Sequence, residues 1–475
     1  MRKTTKRILA GIMSAAMLAS FAACNDSSSG GGSASGGGDA SNAGGDTTQA
    51  PANETTTEKT EWTGDNIEVT AAEELDTSID ISGKTLKWMG FNDLNPTNDN
   101  PERSPEVAIF EDTYGAKIEY METTNDTRFD DLANAIIGGN SPDIFLYEWR
   151  SFPYDVNKGQ YQAVDELVDW NDPMWADVKE TADIFMWNGE HYVAPFGYRI
   201  NDYQILMYDK DMVEEEGLDD PYELYQAGKW DWDAFLGMTK EFQGGDETRF
   251  GIAGWWANAF VFTAGDTLIT YDGSKFSNNL YSQSVERAQS VIDELYVNNL
   301  IKAGWVDPSQ AFVDGSLLFY GMGTWAYNGA AESVPDHTIQ VVPFPKEPGS
   351  NTDYISKALH SHMWVKGSEN ADCVKVWYNI NRLVNYDPQY TDINKQKHLA
   401  NNPLWPEEIY DLVASFNDDD KFAFTFDYGY GLSDLMGDEV MPILYEGRVN
   451  QQWESWITAR EEYMTIVDSS ISDYQ

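Results

Sequence analysis

The chain is poor in cysteine, histidine and base. It has two cysteines and five histidines among 475 residues, and 31 Lys+Arg face 79 Asp+Glu for a formal net charge of −48. With Cys24 and Cys373 as the only thiols, a disulfide framework is excluded as the source of stability, so the body must rest on a hydrophobic core. So acidic a surface repels phosphate backbones and anionic lipid, which excludes nucleic acid as a partner. Past the N-terminus no apolar run is long and charge-free enough to span a bilayer. The sequence also lacks His-Glu-x-x-His, Gly-x-Ser-x-Gly and a phosphate loop, so no enzyme class announces itself and no cofactor is expected. The run Asn417 to Asp420 lacks calcium-loop spacing and reads as a solvated loop.

What is present begins with Arg2, Lys3, Lys6 and Arg7, then an apolar run from Ile8 to Ala23 ending Ala22-Ala23-Cys24. A basic start, a short apolar middle and a small-residue end form a secretory signal. A signal closing on small residues and Cys resembles the bacterial lipoprotein signal, which implies residues 1–23 as signal peptide and a lipid on Cys24. Phe21 stands where that pattern usually has Leu. The alternative is cleavage at an Ala-x-Ala site with Cys24 incidental. Residues 24–62 are Gly, Ser, Thr, Ala, Asn and Asp with little to bury, which reads as a disordered linker. Such a coil of roughly 35 residues reaches about 30–35 Å.

Roughly 400 residues remain, enough for two domains. From Lys84 to Tyr147 strand and helix patterns alternate, with Gly115 and Gly138-Gly139 as helix stops. That order predicts an α/β fold with a mainly parallel sheet, and ligands in such sheets sit at the carboxyl ends of the strands. Further on, Gln283 to Asn298 and Asn370 to Leu383 read as amphipathic helices, Ile339 to Pro345 as a strand entering a Pro-rich stretch, and the last hundred residues as largely helical.

The order of segments resembles the extracellular solute-binding proteins of ABC importers, in the group that takes up sugars and oligosaccharides. The match is carried by Ile109 to Tyr120, Leu132 to Phe145, Asn188 to Pro195 with Leu206 to Asp211, Phe312 to Gly315 with Met322 to Trp325, and Val342 to Pro345. The resemblance implies a two-lobe fold with hinge crossovers near Val193–Gly197 and Val342–Pro345 and a ligand cleft between lobes that close by hinge motion. Lobe 1 is expected from 84–195 with 342–395, and lobe 2 from 196–341 with 396–475. The implied protein is a monomeric, lipid-anchored binder at the extracellular face of the cell membrane that delivers a carbohydrate to ABC permease subunits.

Sugar rings present apolar C–H faces and a rim of hydroxyls, so a site needs flat aromatic walls and a few placed polar groups. Trp325, in the glycine turn that resembles the family's ligand turn, is the first candidate, with core packing as its alternative. Of the adjacent Trp255 and Trp256 at most one can face ligand, and Trp256 is preferred. Glu148 and Trp149 end one strand of the first lobe, and Phe91, Asn92 and Asp93 end another. Asp93 could instead cap the next turn. Tyr198 and Arg199 follow the first hinge, where Arg199 could equally form a surface ion pair. Trp364 lies in a strand that reads as buried, and Trp453 and Trp456 read as core. His360 and His362 share a strand face, so a metal pair is weighed against two strand residues in a polar setting. A surface glycosidase, a binder of another solute and an adhesion lipoprotein are the competing functions.

Overall fold

The computed structural model describes residues 75–98, 103–356, 358–418, 420–450 and 456–475. The signal, Cys24, the linker, Asp419 and Trp453 lie outside the described residues. The strands of the two larger sheets are β1 (Thr85–Gly90), β2 (Lys117–Glu122), β3 (Ile144–Leu146), β4 (Gln204–Asp209), β5 (Phe250–Gly254), β6 (Ile301–Lys302), β7 (Leu317–Gly323), β8 (Ile339–Val342) and β9 (His362–Trp364). The principal helices are α1 (Pro105–Asp112), α2 (Arg128–Ile137), α3 (Trp232–Gln243), α4 (Ala257–Phe262), α5 (Gln283–Val297), α6 (Ala371–Tyr386), α7 (Pro388–Asn401), α8 (Glu407–Ala414), α9 (Met441–Glu446) and α10 (Trp456–Ser472).

Local chemistry sets these boundaries. Pro105 opens α1, where its missing N–H is harmless. The Asp231 carboxylate accepts the Ala234 amide at the start of α3, and Gly244 ends that helix at φ 54°. Ser282 caps α5 through the Val285 amide. Asp387 terminates α6 and caps α7, because Pro388 cannot continue the first helix but suits the first turn of the second.

The first sheet runs β9-β3-β1-β2. Strands β1, β2 and β3 are parallel, and β9 returns antiparallel to β3. The second sheet runs β6-β5-β7-β4-β8, with β6, β5 and β7 parallel and β4 antiparallel to β7 and β8. This is the expected α/β fold with two sheets, each covered by helices. One core cluster holds β1, β3 and α6 side chains and one face of the second sheet; a smaller cluster on that sheet's other face takes in Tyr203, Ile205, Met322, Ile409 and Val413.

The chain passes between the sheets at Gly197–Tyr198, which pairs antiparallel with Leu359–His360. Helix α7 makes a third passage, with Tyr390 in the first cluster and Leu399 packed against the second. Ile339–Val342 is the outer strand of the second sheet, and Asp353–Ile355 pairs with Phe422–Phe424 before the chain reaches β9. The strand pairing between passages therefore falls at Leu359–His360 rather than at Val342–Pro345. The segment 427–450 touches both halves. Asp434 pairs with Arg150 at 2.6 Å, and Arg448 with Asp293 at 2.7 Å. Among the described residues no helix is long and apolar enough to cross a membrane.

Candidate ligand site

Strands β5, β6 and β7 run parallel and end on one edge of the second sheet. A tryptophan follows each end: Trp255 after β5, Trp305 after β6 and Trp325 after β7. These are the exposed tryptophans among the described residues, at 46%, 68% and 51%. A glycine stands one or two places before each, as Gly254, Gly304 and Gly323. The Trp305 and Trp325 rings lie 6.4 Å apart and within 9° of parallel. The Trp325 turn rests on the crossing segment, with the Thr324 hydroxyl donating to the Ile200 carbonyl at 2.6 Å and the Thr324 amide to the Tyr203 carbonyl at 2.8 Å.

The matching edge of the first sheet carries Phe91 after β1 and Glu148 and Trp149 after β3. Arg128, at the start of α2, reaches Glu148 at 3.6 Å and lies 4.3 Å from the Phe129 ring centre and 5.9 Å from that of Phe91. Burial pushes the Glu148 carboxyl up, against the downward pull of Arg128 and Arg199, while Asp202 adds to the rise. Glu148 is thus electrically coupled to the crossing segment, where Arg199 pairs with Asp202 at 3.7 Å. The Trp149 ring meets Phe129 edge-on at 5.8 Å and packs over Gly437, where a Cβ would come within 2.1 Å of it.

The sequence-chosen residues divide accordingly. Phe91, Glu148 and Trp149 gather at the first edge, Trp325 stands on the second, and Arg199 lies in the segment between. Tyr198 shares a 3.0 Å hydrogen bond with Thr181. Asn92 has an exposed side chain, and its carbonyl accepts the Trp88 indole N–H at 2.9 Å. Asp93 accepts both the backbone and side-chain N–H of Asn95, at 2.9 and 2.8 Å, and so caps a turn.

Two choices are corrected. Trp256 is fully buried at 0%, edge-on to Phe260 and against Gly321, because the turn after Gly254 sends Trp255 outward and Trp256 into the core. Trp364 is buried and pairs with Ile144 at the start of β3, the end away from the ligand edge. Sequence reading missed Trp305 and Arg128 and ranked Trp255 second. The recurring Gly–Trp spacing was the available signal.

His362 is buried and His360 half-buried against Phe196, with rings 5.9 Å apart and nearly perpendicular, and the His362 Nδ1 accepts the Trp377 indole N–H at 3.0 Å. Burial holds His360 down at about 4 and His362 well below the usual imidazole range. They are packing residues in an aromatic core. Among the described residues the cluster able to hold a metal is Asp209, Asp211 and His337, and its oxygens already accept from Met212, Thr338 and His337.

A cavity of about 1040 Å³ opens beside the crossing strand near α6 and α7, lined by Tyr198, Arg199, Asp202, Arg382, Asn385 and Lys395 among others. Its cations are matched by acids, Arg382 by Asp177 and Lys395 by Asp411 and Glu407. None of the three exposed tryptophans lines it. Flat apolar faces at the strand edges suit a solute site better than this wall of paired charges.

A family model for bacterial extracellular solute-binding proteins matches residues 107–372, more than half of the chain. The chain belongs to this family. The solute-binding fold is echoed by solved structures at low identity. A cyclic α-maltosyl-1,6-maltose binding protein from Arthrobacter globiformis is 14% identical, with 82% of this chain and 100% of that one covered at a TM-score of 0.59. An ABC substrate-binding protein from Listeria monocytogenes in complex with cycloalternan is 13% identical, with 82% and 99% covered at 0.58. UgpB from Mycobacterium tuberculosis in complex with glycerophosphocholine is 18% identical, with 77% and 94% covered at 0.56. Comparison with curated proteins gives no match.

Proposed function

We propose that this solute-binding protein captures an oligosaccharide between its two strand edges and delivers it to the permease of an ABC importer, held at the extracellular face of the membrane by a lipid on Cys24. The observation that carries this reading is the row of exposed tryptophans, Trp255, Trp305 and Trp325, on one sheet edge. Exposed indoles are what a sugar face stacks on, and a row of them suits several rings better than one. On the first edge Arg128 with Glu148, and in the crossing segment Arg199 with Asp202, supply donors and acceptors for hydroxyls while balancing each other's charge. Two structural neighbours carry cyclic oligosaccharides in their names, which favours the same ligand class here. The neighbour holding glycerophosphocholine shows why the ligand must be tested directly.

The test is a glycan-library melting screen followed by titration of the best ligand. Trp325→Ala is expected to weaken binding at least tenfold, about 1.4 kcal/mol, from loss of one stacked face. Unchanged affinity would remove the stacking proposal, and chemical turnover of the glycan would replace a binder by an enzyme. Mass analysis of the mature N-terminus is expected to find acylated Cys24 as its first residue; an unmodified N-terminus would remove the anchor.

A further inference from the structure

Glu446 ends α9 and is buried, yet among the described residues it pairs with no cation. Its carboxylate accepts the Ala257 amide at 2.9 Å, and the neighbouring Trp256 and Asn258 amides also draw its pKa down. Those amides begin α4 immediately after Trp255. Trp256, the N-cap residue of α4, offers no capping side chain, so a carboxylate from a distant element satisfies the orphan donors. The same turn is held from a second side, where the Gln204 amide donates to the Trp255 carbonyl at 3.3 Å and to Asn258 at 3.1 Å. The segment that carries Glu446 also reaches the first sheet's edge, through Gly437 under the Trp149 ring and Asp434 on Arg150.

We propose that Glu446 is a positioning residue for Trp255: as a carboxylate it clamps the turn that presents the Trp255 ring at the ligand edge, and on protonation it loosens that clamp. The backbone amides that open α4 beside this oxygen pair are satisfied by an anion. A carboxylic acid places a proton among them and leaves at least one donor poorly paired. Burial pushes the carboxyl up to about 7 while the three amides pull it down, so the change of state falls near neutrality. One group nearby also changes state in this range: burial pushes the Asp427 carboxyl up to about 6, but Asp427 is bound to Tyr445 and the Leu268 amide rather than to α4, so a shift it drives would persist in Glu446→Gln. Helix α4 carries no ionisable side chain. Tyr430, in the turn Tyr428–Gly431, is kept protonated by burial and by Asp427 and Glu446. On α9 itself, Tyr445 donates to Asp427.

This inference rests on the carbohydrate-site reading only for what Trp255 touches, and its test needs no sugar. The full chain is labelled with 5-fluorotryptophan, and the Trp255 resonance is assigned by its loss in Trp255→Phe. Between roughly pH 5.5 and 8.5 that resonance is expected to shift with a midpoint near 7 in the wild type and to stay fixed in Glu446→Gln. A wild-type resonance that does not move, or one that moves equally in Glu446→Gln, overturns the proposal. If Glu446→Gln does not fold, a ¹³C-carboxyl titration of Glu446 takes its place, and a midpoint more than about one pH unit from that of Trp255 overturns the proposal equally. Either failure leaves the oligosaccharide reading standing. Loss of the glycan reading, conversely, does not touch the titration.

Discussion

Replacing Gly254 by alanine is expected to destabilise the protein by about 4 kcal/mol or more and to remove ligand binding with it. Gly254 sits at φ 104°, a conformation that side-chain-bearing residues rarely adopt. Holding alanine there costs about 1–3 kcal/mol by itself. The larger problem is the neighbour. Gly254 pairs with Gly321 across β5 and β7, and a Cβ on Gly254 would stand 2.1 Å from the Gly321 carbonyl oxygen. Backbone cannot swing aside as a flexible side chain can, so the two strands must part. They are the strands that carry Trp255 and Trp325, so the damage reaches the aromatic edge directly. Gly273→Ala is the control, since φ is 90° there with nothing within 4 Å of the added carbon. Urea unfolding should find Gly254→Ala clearly the more damaging. Equal losses would remove the close-approach explanation.

The same glycine explains what could be read from the sequence and what could not. The alternation from Lys84 to Tyr147 was legible because helix stops and strand patterns are local, and the structure places β1, α1, β2, α2 and β3 along it. Strand ends were therefore legible too, and with them Phe91, Glu148 and Trp149 at one edge. The adjacent pair Trp255-Trp256 shows where local reading stops. Period-two alternation says that one faces out, but which one depends on the turn Gly254 makes, and that turn depends on contact with Gly321. Trp305 follows a strand of two residues, too short to show a pattern. Glu446 closes an otherwise apolar helix segment and looks like a solvated helix end. Only the fold brings it to the Ala257 amide, 189 residues earlier in the chain. The two histidines read as strand residues rather than a ligand pair, and the fold agrees: His362 packs against Phe196 and accepts the hydrogen bond from Trp377.

Arg382→Leu is expected to cost about 3–5 kcal/mol and to loosen the passage between the two sheets. The Arg382 side chain on α6 is almost wholly buried, and its guanidinium answers three acceptors at once. Nε donates to the Met174 carbonyl at 2.5 Å, one terminal nitrogen to the Phe196 carbonyl at 2.7 Å, and the other to Asp177. Phe196 is the residue before the Gly197–Tyr198 crossing strand, and Gly197 lies so close to α6 that a Cβ would stand 3.0 Å from that of Asn385. Leucine fills much of the volume but leaves two buried carbonyls without donors, each costing about 1–3 kcal/mol. Asp177 is largely exposed and can return to water, so it adds little. Lysine should recover only part of the loss, since one ammonium cannot reproduce the planar fork. The reading that separates a hinge role from a packing role is local. The Phe196 and Arg199 amides donate to His360 and Ala358 at 2.8 Å, which ties the two crossing strands together. Hydrogen exchange at those amides is expected to accelerate in Arg382→Leu beyond what the global loss of stability explains. A variant that lost stability while they exchanged in step with the rest of the fold would make Arg382 a residue of the helix core and leave the crossing held by its strand pairing alone.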